Sequence, residues 1–290
     1  MYGMKIGIAA SVGFGIPIEE QIPIMKKIGF EAFATSLDTD EKLAEYRRIA
    51  DECGMIYEYL HAPFVRAAEM WTDNADAAID DLKRSADACA KFGVPIMVVH
   101  AFIGFIKQTG SVPEDFFDLG VKNYRYVCEY ARDMGVKVAI ENTEGEEYLA
   151  VLMDKLSDLD NVGFCWDTGH EMCYNFNRDM TALYGDRLLV THLNDNLGVR
   201  DFGGEITWLD DLHLLPFDGV GDFADIAIRI SRSAPLETLM FELNKGNRPD
   251  RLCNEKYAKM TVEEYLTEAY ARACRVAALV LKEKGQWISK

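Results

Sequence analysis

Strand-length segments and helical segments alternate along the chain, strand first, eight times over, and no other feature narrows the fold as far. MKIGIAA (4–10) is short and apolar, whereas PIEEQIPIMKKIG (17–29) repeats apolar residues near helical spacing and stops at glycine. The unit recurs as EAFATSL with DEKLAEYRRIADECG, as MIYEYLHA with AAIDDLKRSADACAKFG, as PIMVVHA with a helix from Pro113 to Gly135, and as VKVAIENT with EEYLAVLMDKL. NVGFCWDTGH precedes a short helix near Asp179 to Gly185, RLLVTHLND precedes a long loop and DFADIAIRISRSA, and ETLMFELN precedes a last helix from Thr261 to Lys284. Gly29, Gly54, Gly93 and Gly135 each end a helix just before a strand, as left-handed C-caps do. Eight such units joined by right-handed crossovers predict an α/β fold, a (β/α)8 TIM barrel forming one domain over residues 1–290. An open doubly wound sheet is the alternative. It usually carries a glycine-rich phosphate loop after its first strand, and SVGFGIPIEE matches GxGxxG poorly.

Composition excludes several functions. With 48 Asp plus Glu against 31 Lys plus Arg, the net charge of −17 disfavours a nucleic-acid partner, since such binding draws its affinity from cations on phosphates. It disfavours an acidic membrane surface for the same reason. The longest apolar runs, such as 94–105, fall short of the roughly 20 residues of a membrane span. MYGMKIGIAASVGFG has no charged segment leading to a small-residue cleavage site, so a cytoplasmic location is expected. Seven scattered cysteines without a CxxC pair fit a reducing compartment and no structural zinc knuckle.

The polar residues fall where barrel chemistry needs them. All five histidines lie at the end of a predicted strand or in the loop after it: His61, His100, His170, His192 and His213. Glu141 ends strand five in AIEN, Asp167 ends strand six in CWDTGH, and Glu242 ends strand eight in MFELN. In a barrel these ends converge on one face. Carboxylates on apolar strands are costly to bury unless paired or bound to a cation, so Glu141, Asp167, His192 and Glu242 predict one divalent metal ion. Three oxygens and one nitrogen suit Mn2+ first, with Mg2+ or Co2+ next; Zn2+ also fits. A histidine at a strand end is by itself more often a hydrogen-bonded structural residue, so the set of four carries the inference. Trp71, Trp166 and Trp208 are candidate sugar-stacking platforms, with buried packing the default for Trp166. The loop from about Asn196 to Gly221 reads as an active-site loop over the barrel mouth.

The series HAP, VVH, AIEN, WDTGH, THLND and FELN resembles the xylose isomerase-like TIM barrels, a superfamily that includes sugar phosphate isomerases and epimerases, ketose 3-epimerases, inosose dehydratases and endonuclease IV. The resemblance spans nearly the whole chain. It implies that Glu141, Asp167, His192 and Glu242 hold the metal, that Glu141 and Glu242 also move the proton, and that His170 binds substrate. His61, His100, Trp208, His213 and Arg200 are further candidate substrate-binding residues, Arg200 coming late for the arginine that ketose 3-epimerases place after the strand-seven histidine. Thr143 stands where xylose isomerases carry a lysine, which argues against that reaction.

The expected activity is therefore a divalent-metal-dependent sugar, cyclitol or sugar phosphate isomerase or epimerase. It would remove a proton next to a carbonyl and stabilise the enediolate by chelation. The partners expected are a small carbohydrate and other copies of the chain, with no nucleic acid and no membrane. Arg66, Lys107, Arg200 and Lys245 are the only obvious cations for a phosphate, which favours a neutral sugar or cyclitol. Elimination by a lyase or dehydratase is one alternative. A multi-zinc phosphodiesterase is another, because the nine metal positions of endonuclease IV are matched by His61, His100, Glu141, Asp167, His170, His192, Asp211, His213 and Glu242.

Overall fold

Each predicted strand forms, one to three residues shorter at its ends than the apolar run that announces it. The computed structural model describes residues 3–104, 117–198, 206–248 and 254–285. Strands β1 (Lys5–Ala9), β2 (Ala32–Ser36), β3 (Ile56–His61), β4 (Ile96–His100), β5 (Lys137–Glu141), β6 (Val162–Asp167), β7 (Leu188–His192) and β8 (Thr238–Phe241) form one sheet. Its order is β7-β6-β5-β4-β3-β2-β1-β8, and all of these neighbours run parallel. The seam between β7 and β8 closes just beyond their ends. Leu193 bridges to Phe241, and the Thr191 hydroxyl donates to the Met240 carbonyl and accepts from the Met240 amide, both at 3.1 Å. Eight parallel strands thus make a TIM barrel, and the open doubly wound sheet is ruled out.

Helices α1 (Ile18–Ile28), α2 (Asp40–Cys53), α3 (Asp76–Phe92), α4 (Asp118–Asp133) and α5 (Glu146–Lys155) pack around the first five strands. The shorter α6 (Thr168–Cys173) and α7 (Met180–Tyr184) follow β6, α8 (Phe223–Arg232) precedes β8, and α9 (Glu255–Ala258) and α10 (Val262–Glu283) complete the ring. Two of the four predicted left-handed glycine caps form as expected, Gly54 and Gly93 both at φ 65° where a β-carbon would be strained, whereas Gly29 caps α1 at φ 130° and Gly135 follows the Met134 cap of α4. The last helix opens on a reciprocal cap, the Thr261 hydroxyl accepting from the Glu264 amide while the Glu264 carboxylate accepts from Thr261, a motif that contributes about 1 kcal/mol. Among the described residues no helix is long and apolar enough to cross a membrane.

Two packed regions hold the barrel together. The larger lies between sheet and helices and includes Phe33, Ile140, Phe164 and Leu239. The smaller fills the interior with Ala32, Ala34, Tyr59, Val98, Ala139, Cys165, Val190 and Met240. Small residues on β2 and β5 leave room for Tyr59 and Met240, and a β-carbon at Gly7 would collide with the Met240 sulfur. Tyr59 stands directly beneath the strand ends, its ring 5.0 Å from that of His192. It forms the floor of the site.

Candidate metal centre and substrate cavity

The four residues expected to hold a metal meet at the C-terminal mouth of the barrel. One donor atom each from Glu141, Asp167, His192 and Glu242 lies within 4.8 Å of all the others. His192 Nδ1 stands at the centre, 3.0 Å from Glu141 Oε1, 2.8 Å from Glu242 Oε2 and 4.0 Å from Asp167 Oδ2. Strand register explains the meeting. Glu141 pairs beside His100 across β4–β5, and Asp167 beside His192 across β6–β7, so neighbouring strand ends deliver these side chains at one height.

Asparagines in the same segments fix Asp167. Asn142 Oδ1 accepts from the Asp167 amide at 2.8 Å, and Asn194 Nδ2 donates to Asp167 Oδ2 at 2.9 Å. The other oxygen accepts from the His170 amide at 2.7 Å, so Asp167 both ends β6 and caps α6. WDTGH is therefore strand only as far as Asp167, and His170 rides on the first turn of a helix. Gly169 is needed there because a β-carbon would overlap Asn194 Oδ1.

The remaining histidines come close as well. His61 Nε2 and His100 Nε2 lie 3.2 and 3.3 Å from Glu141 Oε2, while His170 Nε2 and His213 Nε2 lie 3.5 and 2.7 Å from Asp211 Oδ2. Three of these rings turn their other nitrogen to a backbone carbonyl: His61 Nδ1 to Ala62, His170 Nδ1 to Asn142 and His213 Nδ1 to Glu242. A ring that donates from Nδ1 keeps an unprotonated Nε2, and such an Nε2 facing a carboxylate needs a proton or a cation between them. Donor atoms of His61, His100 and Glu141, and of Asp167, His170 and His213, also cluster within 4.8 Å. His213, on the mouth loop, is buried.

The electrostatics express the same shortage of cations. Burial pushes Glu141 up, but His192, His100 and His170 outweigh it and hold the carboxyl well below the usual range. Burial raises Asp167 to about 6, whereas Glu242, despite burial, is drawn down to about 2 by His192 and His213. His170 and His192 are raised well above their ordinary value against their own desolvation, and His213 reaches about 9 beside Asp211. Without a metal, proton-bearing imidazoles do the neutralising. Asp211 Oδ1 and His100 Nδ1 are buried with no hydrogen-bond partner among the described residues. Oxygen and imidazole donors, converging, buried and oriented by carbonyls, fit a divalent cation.

A cavity of about 530 Å³ opens above this centre, lined by Phe64, His100, Ile103, Gly104, Glu144, His170, Tyr174, Trp208, Asp211 and Arg248. Trp208 is 56% exposed on its wall, as a stacking platform requires. Trp71 and Trp166 do not reach it. Trp71 is buried with its indole donating to the Ala101 carbonyl, and Trp166 is buried against Glu171 and Arg229, so both are packing residues. The predicted mouth loop is anchored by Asp195, whose carboxylate accepts from the amides of Asn196, Gly219 and Gly221. Arg200 and Lys107 lie outside the described residues. Arg66 pairs with Asp81 and Glu69 and Lys245 donates to the Ala258 carbonyl, neither of them lining the cavity. Phe64, Glu144, Tyr174 and Arg248 were not anticipated from the sequence. Their one signal is position, each within seven residues of a strand end.

The fold and site define an eight-stranded parallel TIM barrel with carboxylates and imidazoles converging at its C-terminal mouth. Residues 22–253 match the family described as "Xylose isomerase-like TIM barrel", and the chain belongs to that family. It is 25% identical over 305 residues to the uncharacterized protein y4fM of Sinorhizobium fredii, covering 93% of this chain and 91% of that one. Among solved structures it resembles the IolI protein with a bound zinc atom (TM-score 0.72, 20% identity, 96% of this chain and 99% of that one). It also resembles a D-psicose 3-epimerase from Clostridium cellulolyticum H10 solved with D-tagatose (TM-score 0.65, 15% identity, 94% and 99%). A further likeness, at TM-score 0.70 and 16% identity, is to a fusion of a xylose isomerase-like TIM barrel with a 4-hydroxyphenylpyruvate dioxygenase; it covers 99% of this chain and 45% of the fusion.

Proposed function

We propose that this protein is a divalent-metal-dependent sugar isomerase or epimerase that moves a proton at the carbon next to a carbonyl. The observation that carries the reading is the convergence of Glu141, Asp167, His192 and Glu242 within 4.8 Å beside a cavity of about 530 Å³, ample for a monosaccharide. A zinc-bearing structural relative and an epimerase solved with a ketose support it. Glu141, Asp167, His192 and Glu242 would hold the ion, with Mn2+ as the first candidate. A divalent ion supplies Lewis-acid polarisation of a carbonyl and its neighbouring hydroxyl when bound.

The chain's own residues do the rest. Glu242, whose side chain is 30% exposed, is the carboxylate that a substrate can reach, and it removes the proton as general base. Glu141 is 1% exposed, and its oxygens face His61, His100, His170 and His192, so it is held rigidly and exchanges protons through imidazoles. A different proton, passed through Glu141 from the imidazoles that face it to the opposite side of the same carbon, would give epimerisation and leave Glu242 to release its own proton to water, whereas return of the proton by Glu242 to the adjacent carbon would give aldose–ketose isomerisation. His170 holds a substrate oxygen and Trp208 covers the ring, with His61, His100 and His213 completing the polar wall.

A second reading rests on the two further donor clusters, His61–His100–Glu141 and Asp167–His170–His213, which would let the mouth hold two or three zincs as a phosphodiesterase. The charge of −17, and a cavity lining of two carboxylates against one guanidinium, favour the sugar. Metal content per chain, measured by plasma mass spectrometry on protein purified without added metal, separates the two. About one manganese, magnesium or cobalt supports the isomerase, two or three zincs support the phosphodiesterase, and no metal removes the site.

A further inference from the structure

Arg248 enters the cavity from the loop after β8, six residues beyond Glu242. Its Nε donates to the Asp211 carbonyl at 2.7 Å and its Nη2 to Asp211 Oδ2 at 3.3 Å. Its guanidinium lies 5.7 Å from the centre of the Trp208 ring. An arginine pinned along one edge and set over an aromatic ring has lost its rotamer freedom before any ligand arrives, while among the described residues its Nη1 carries no hydrogen bond. Among the described residues it is the one lysine or arginine lining the cavity.

We propose that Arg248 is a specificity-determining residue that selects a sugar bearing a carboxylate, the carboxylate lying against its Nη1 edge while the sugar stacks beside Trp208. The proposal rests on the sugar reading given above. Charge bookkeeping separates a carboxylate from a phosphate. Glu144, which accepts from the Gly104 amide at 2.8 Å, and Asp211 already place two negative groups on the lining beside one guanidinium. A monoanion adds one negative charge to a lining that already carries two carboxylates and one guanidinium, whereas a phosphate dianion adds two. The planar fork also matches two carboxylate oxygens.

The test is isothermal titration of the full-length, Mn2+-loaded protein with D-fructose, D-fructuronate and D-fructose 6-phosphate. D-fructuronate is expected to bind at least tenfold more tightly than D-fructose and more tightly than the phosphate. In Arg248→Met the ratio of D-fructuronate to D-fructose affinity falls to within twofold of one, with metal content and melting temperature as folding controls. If Arg248→Met fails to fold, Arg248→Lys carries the same test, since it keeps the charge and loses the fork, and the ratio drops at least threefold. Equal binding of acid and neutral sugar, a stronger phosphate, or a ratio untouched by substitution overturns the proposal while leaving the isomerase intact if D-fructose still exchanges its proton. Failure of all three sugars to bind overturns both.

Discussion

Glu141 and Glu242 have the same side chain and touch the same imidazole nitrogen, yet their surroundings separate them. Glu141 sits among four histidines, so Glu141→Gln removes charge from every donor cluster it joins, and both metal content and turnover should be lost. Glu242→Gln should lower kcat about 10²–10⁴-fold, the usual contribution of a positioned base, while most of the metal is retained. Metal analysis beside steady-state kinetics checks both variants, and near-normal turnover in either would end the two-carboxylate scheme. The metal residues were legible in the sequence because each stands at the end of an apolar run where a charge has no packing role. Arg248 was not, because NRPDR reads as an ordinary loop and only the fold carries it to Asp211. Trp71 and Trp208 were indistinguishable as letters; the first packs under Ala101 and the second stands in the cavity.

At the level of elements, the connection between β7 and α8 carries Trp208, Asp211 and His213, and Asp195 organises it. That carboxylate accepts three backbone amides while its own backbone pairs with Leu214. Asp195→Ala leaves three donors without their acceptor at a cost of about 1–3 kcal/mol, and it should raise KM more than it lowers kcat, since the catalytic carboxylates lie on other segments. Thermal melts and kinetics check this, and an unchanged KM would mean that the loop holds its shape without Asp195. Period and glycine punctuation revealed the strands and long helices, as with Gly54 ending α2. The short α6 stayed hidden inside an apparent strand. Its six residues are too few for a helical period, and its start is set by the Asp167 cap, a contact that depends on β6 already being in place.

For the whole molecule, the mouth of the barrel is a store of protons that a metal displaces. His213 titrates at about 9, above its unfolded value of 6.5, so its contribution to stability is full below pH 6.5 and is lost as pH rises through 9. His170 and His192 shift in the same direction. Metal-stripped protein should therefore melt at lower temperature at pH 9.5 than at pH 7. Metal binding should release protons and tighten over the same window. Melting curves with and without Mn2+ check the sign, and a stripped protein equally stable at both values would contradict it.

The central claim is proton transfer that depends on the metal centre. Its most direct measurement is nuclear magnetic resonance of a ketose incubated in D2O with metal-loaded, chelator-stripped and re-loaded protein. Deuterium at the carbon next to the carbonyl in the loaded and re-loaded samples, and none in the stripped sample, is the predicted result. Exchange that survives stripping, or none from the loaded protein with neutral or acidic ketoses, would contradict it.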